Sequence, residues 1–170
     1  MTKQVRQRLH SVLKAEMQAR FAEFVLRRDI RVPPGDLVFS WTHPAGVTFF
    51  IVLEVNQDSE AFNIALAWSV GGGDLPRFVA MSPTDPPVSQ QHRFALHRLW
   101  DNPSTRDPWH WRVVPLPRLG DSTAWLATAV PTPELIRRVE DSARQAVDGL
   151  AAHATPYFLA VLEEYKAGRI

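Results

Sequence analysis

The residues of this chain with the widest chemical range are its histidines, its carboxylates and a run of arginines and tryptophans between positions 93 and 112. His92 and His97 stand five apart, and His110 follows. Zinc ligands sit at i and i+4 on a helix and at i and i+2 on a strand, so a spacing of five serves neither. His97, Asp101 and Asp107 are the right types for acid–base work, but such groups act only within hydrogen-bond reach of one another. No sequence feature ties them together, and they read as surface or interface residues. The cysteine count is zero, which removes disulfides, thiolate metal sites and a cysteine nucleophile. Gly71-Gly72-Gly73-Asp74 has the glycines of a phosphate loop but not its Gly-Lys-Ser/Thr ending, and Pro76 blocks the helix that should follow. No cofactor, metal or catalytic residue is expected.

The arginine–tryptophan run is richer. Trp100, Trp109 and Trp111 are interleaved with Arg93, Arg98, Arg106 and Arg112. Such a mixture stacks single-stranded bases, anchors protein interfaces or, for any one tryptophan, simply fills a core. An acidic stretch covers residues 32–92, and no dense basic patch accompanies the tryptophans, so a protein partner is favoured over nucleic acid.

The elements that must position these residues are clearest at Val47–Val70. Val47, Phe49, Ile51, Leu53 and Val55 alternate, and so do Phe62, Ile64, Leu66, Trp68 and Val70 after a polar break at 57–60. That is an antiparallel pair with one strongly apolar face. Leu37–Thr42 adds a strand before it through the turn His43-Pro44-Ala45-Gly46. Further strands are expected at about Arg93–Trp100 and Trp109–Val114, with Asp121–Val130 either strand or irregular. An N-terminal helix is expected from about Thr2 to Arg27, with Val5, Leu9, Val12, Leu13, Met17, Phe21, Phe24 and Val25 as its apolar stripe and Arg27 and Arg28 at the negative end of its dipole. Thr132-Pro133-Glu134 has the chemistry of a helix start. A break is expected near Ala152–Ala154, with Thr155-Pro156 restarting the helix. The fold class is therefore α+β: an antiparallel meander of about four to six strands flanked by a long N-terminal helix and C-terminal helices, in a single domain over residues 1–170. The second face of the central pair (Thr48, Phe50, Val52, Glu54 and Asn56 with Ala61, Asn63, Ala65, Ala67 and Ser69) is small or mixed, and is expected to be partly exposed and able to receive a partner.

Net charge is +1, but it is unevenly placed. Residues 1–31 carry eight Lys/Arg against three carboxylates, and residues 32–92 carry Arg77 alone against six. The simplest reading is that the basic helix complements the acidic region within one fold. Met1–His10 is polar and basic, and no apolar run is long enough to span a bilayer, so a cytoplasmic, membrane-free protein is expected.

With Leu96-His97-Arg98-Leu99-Trp100, the D-x-W-x-W run Asp107-Pro108-Trp109-His110-Trp111 and Thr155-Pro156-Tyr157-Phe158 in view, the layout resembles a bacterial α+β family of unknown function. Its members often sit beside interbacterial toxin genes, and some look like immunity proteins. The resemblance implies a small non-enzymatic protein that binds and neutralises a cognate toxin. Its partner-binding residues would be the acidic Asp58, Glu60, Asp74 and Asp85, which suit a basic toxin face, together with Arg98, Trp109 and Trp111. The alternative is an enzyme or small-molecule binder that uses the Arg98–Trp111 region. A lesser one is a chaperone for a secreted effector. Complex formation with the product of a neighbouring gene separates the first from the second, for which thermal shift with small ligands is the probe.

Overall fold

A computed structural model of the chain describes residues 3–56, 61–71, 94–98, 111–113 and 132–170, with the backbone alone at 94–98 and 112. Helix α1 runs Lys3–Arg20 and helix α2 runs Pro133–Lys166. Between them lie β1 (Val25–Arg27), β2 (Leu37–Thr42), β3 (Val47–Asn56), β4 (Ala61–Val70), β5 (Phe94–Arg98) and β6 (Trp111–Arg112). The sheet order is β1-β2-β3-β4-β5, with β6 also on β4, and every pairing is antiparallel. This is the α+β meander expected from the alternation.

The N-terminal helix is shorter than its apolar stripe suggests. It closes with the Phe21 N–H donating to the Met17 carbonyl, and Phe24 N–H then bonds back to Phe21. This turn sends Val25–Arg27 into β1, paired with Val38–Ser40. Phe21 and Phe24 stay buried, but they enter the core from the turn, where Phe24 stacks on Phe158 with centroids 5.8 Å apart. Helical spacing alone cannot report that the edge of β2 offers this segment backbone partners. Arg27 therefore sits on a strand rather than at a helix end, and it donates to Asp29 and to the Ser40 hydroxyl.

Helix α2 begins as its sequence dictates. Thr132 Oγ1 accepts from the Leu135 N–H, and Pro133 opens the first turn. It does not break at Ala152–Ala154. The helix runs through Pro156 as one element of 34 residues. Proline deprives the Ala152 carbonyl of its helical donor, but Ala152 and Pro156 are both exposed, so water can serve that carbonyl. Beyond the proline, Tyr157, Phe158, Val161 and Leu162 are buried and hold the second half in line. Pro156→Ala should restore the missing bond and stabilise the protein by about 1–2 kcal/mol after the offsetting gain in unfolded-chain entropy. Chemical denaturation checks this, and an unchanged or lower midpoint would contradict it.

The two helices are parallel over α1: Arg8 meets Glu140 at 2.7 Å, Glu16 meets Arg144 at 3.7 Å and Arg20 meets Asp148 at 2.5 Å. The basic helix thus finds its described ion-pair partners on α2, not in the acidic 32–92 region. The helices cover the large-apolar sheet face, where Phe39, Phe49, Ile51, Leu66 and Trp68 share one core with Leu9, Met17, Val147 and Leu150.

The second sheet face corrects the expectation of an exposed surface. Thr48, Phe50, Val52, Ala61, Asn63, Ala65, Ala67 and Ser69 are all buried. Val38, Phe50, Val52, Ala65 and Ala67 form a second apolar cluster, and Ile30 and Val32 from the segment after β1 pack onto it. Small residues on this face serve close approach.

Candidate functional site

Strand β3 outruns β2 at one end of the sheet, and that end collects polar groups. β2 begins at Leu37, opposite Leu53, so β3 continues past it and the Val55 N–H lies beyond the ladder. Asp36 supplies the missing acceptor: its Oδ1 takes the Val55 N–H at 2.8 Å. The preceding residues make that placement possible. Asp36 N–H donates to the Pro33 carbonyl at 3.1 Å across a tight turn, with Pro34 and Gly35 at its centre and Gly35 at φ 99°. Proline first and glycine second is what a type II turn requires, since only glycine takes the positive φ cheaply. The Gly35 carbonyl in turn accepts from Nε2 of His10, at 2.8 Å, which ties the turn to α1.

Glu54 follows on β3. It is the one charged residue of the strand, it is buried, and it stands opposite Asn63 of β4. β5 ends at Arg98 opposite Ala65, and β6 resumes with Trp111 opposite Phe62. Asn63 and Ile64 lie between these two stretches of register. There the Ile64 N–H is bonded by Oδ1 of Asn63 itself, at 2.9 Å.

Burial pushes the Asp36 carboxyl up to about 6, the Val55 N–H works against that rise, and the charge of Glu54 adds to it. Among the described residues no ion pair holds Asp36, and burial opposes its charge in the folded state. The sign of the pH effect follows. A raised folded-state value gives a contribution that is complete below the unfolded value of 3.8 and is lost as pH rises through about 6. Asp36→Asn keeps the acceptor for Val55 and removes the charge. It should equal wild type near pH 4 and exceed it by about 1 kcal/mol at pH 8, a figure already reduced for the solvent that reaches this half-buried group. Urea unfolding at the two pH values measures this, and a variant no more stable than wild type at pH 8 would count against it.

The residues expected to meet a partner are distributed as follows. Asp58, Glu60, Asp74, Asp85 and Trp109 lie outside the described residues, as do His92, Trp100 and the 121–130 segment. Arg98 is the last residue of β5. Trp111 is described, and it is 7% exposed, with its ring stacked on Phe62 at 5.2 Å and 12°. Its side chain belongs to the core, which removes it from the set of surface anchors. The structure brings together Asp36, Glu54, Asn63 and His10 through the Pro-Pro-Gly turn and the strand ends, and none of these was singled out as a site. A signal existed. A lone carboxylate inside a ten-residue apolar strand and an aspartate directly after Pro-Pro-Gly are both out of place for simple packing. Among the described residues no group of three or more His, Asp or Glu could hold a metal ion, and no described helix is long and apolar enough to cross a membrane. No family model, no curated protein and no solved structure matches the chain.

Proposed function

We propose that this chain is a non-enzymatic binding protein of the immunity type, a small protein that docks on a cognate toxin and blocks it, and that the acidic sheet end at Asp36 and Glu54 is part of its docking surface. The observation that carries this reading is the half-buried Asp36 carboxyl, which stands beside the carboxylate of Glu54 and has no ion pair among the described residues. Such an arrangement costs stability, and groups whose ionisation is strongly perturbed concentrate at functional sites. A basic side chain from a partner would relieve the repulsion. The β3–β4 connection, which contributes Asp58 and Glu60 in sequence, leaves β3 and enters β4 at this same end. Acidic groups on a docking surface favour fast, salt-sensitive association with a basic partner.

The test is co-purification with the product of the gene beside it, at low and at high salt. A complex at low salt that weakens with added salt is expected, with at least about a tenfold loss of affinity, or about 1.4 kcal/mol, for Asp36→Asn combined with Glu54→Gln. An absence of complex at low salt, or a complex indifferent to both substitutions, would remove the support.

A further inference from the structure

Helix α1 carries cations on two flanks, and the fold treats them differently. Toward α2, Arg8 and Arg20 are bonded to Glu140 and Asp148. Lys3, Arg6, His10 and Lys14 follow one another at intervals of three, four and four residues. They make a single line about 16 Å long at the helical rise of 1.5 Å per residue. Among the described residues Lys3, Arg6 and Lys14 have no carboxylate partner, and Lys3 and Lys14 are exposed. His10, at the centre, is half-buried. Burial holds its pKa below the ordinary value, the Gly35 carbonyl works against that, and the charges of Lys14 and Arg6 lower it further. Lys14 and Arg6 thus both lie within electrostatic reach of His10.

The chemistry of the line narrows its occupant. The apolar stripe of α1 (Val5, Leu9, Val12, Leu13 and Met17) is already buried in the core, so the helix has no face left for inserting into a bilayer. Among the described residues the exposed large hydrophobics are Val25 and Leu159, neither of them on α1, so the line lacks the apolar anchors that dominate protein interfaces. What it offers is a row of point charges, which is what phosphate contacts need. We propose that Lys3, Arg6 and Lys14 form a docking strip for the phosphate backbone of a nucleic acid, bound without reading its bases. Over about 16 Å a duplex strand presents about five phosphates, enough to meet three cations. This inference does not depend on the role given to Asp36.

The experiment is fluorescence anisotropy of the full chain with a labelled duplex of about two helical turns, in two unrelated sequences, across a salt series. Expected is binding that is equal for both sequences, with log K falling against log salt at a slope of about −2 to −3, the value for three phosphate contacts. The triple variant K3E, R6E, K14E should lose at least about tenfold in affinity, about 1.4 kcal/mol, with unchanged circular dichroism. Its control, R28E, R137E, K166E, makes the same charge change at exposed positions off the line and should lose clearly less. The His10 ring should titrate at higher pH when the duplex is bound, read by NMR. No binding at low salt, equal loss in both triples, preference for one sequence, or an unmoved His10 would overturn the proposal. So would capture of poly-glutamate or anionic vesicles by the strip without capture of the duplex.

Discussion

Replacing Phe49 by alanine should cost about 3–5 kcal/mol, the range for truncating a large aromatic in a packed core. Phe49 is fully buried near the start of β3, with Trp41 and Trp68 beside it on the neighbouring strands. Its ring lies 4.4 Å from that of Phe158 and 5.9 Å from that of Trp41, and Phe24 completes the group. This cluster joins the sheet to the half of α2 that extends past α1 and to the turn leading into β1. Removing its centre therefore leaves a cavity walled by three separate elements, which cannot all close on it. Domains of this kind hold about 5–15 kcal/mol in total, so the loss would take a large part of the stability. Urea unfolding followed by fluorescence measures it, with the midpoint falling and the slope unchanged. A loss under about 1 kcal/mol would mean that this column does not bear the packing assigned to it.

The second large effect lies on the other face. Ala67→Asp should destabilise by about 3 kcal/mol or more, because it places a carboxylate with no partner on a closed apolar surface. Ala67 is fully buried between Phe50 of β3 and Leu96 of β5 in the register, in the cluster that Ile30 and Val32 cover. On a solvated sheet face the same change would fall within about 0.5 kcal/mol. The loss should also shrink at acid pH, where the introduced carboxyl is neutral. Thermal unfolding at pH 4 and pH 7 distinguishes the cases. A variant as stable as wild type at both would return this face to solvent.

That face shows where sequence patterning stops being informative. Alternation at Val47–Val70 located β3 and β4 correctly, because large apolar residues at every second position have few other homes. The intervening Ala65, Ala67 and Asn63 are small or polar, and such residues suit water and close packing equally well. Only tertiary neighbours such as Ile30 and Val32 decide between the two. Helix ends failed for a related reason. Phe21, Phe24 and Val25 continue the period of α1, yet the edge of β2 captures Val25–Arg27. Pro156 reads as a break, yet buried residues on both sides carry the helix through it. The Thr132 cap and the Pro44–Gly46 turn were legible because their chemistry is local. Gly46 takes φ 93° and donates to His43, as a hairpin of that length requires. The candidate site was least legible of all. Asp36, Glu54 and Asn63 are separated in the chain, and Asp36 joins the end of β3 only because β3 continues past the start of β2 and leaves the Val55 N–H for a side chain to satisfy.

Asp36 is a half-buried carboxyl beside Glu54 with no ion pair among the described residues. Its ionisation can be followed directly through the carboxyl carbon by NMR as a function of pH. A midpoint at about 6 is the expected result. A midpoint at or below the unperturbed value of 3.8 would show a compensated surface aspartate, and the acidic sheet end would lose its claim to be a docking surface.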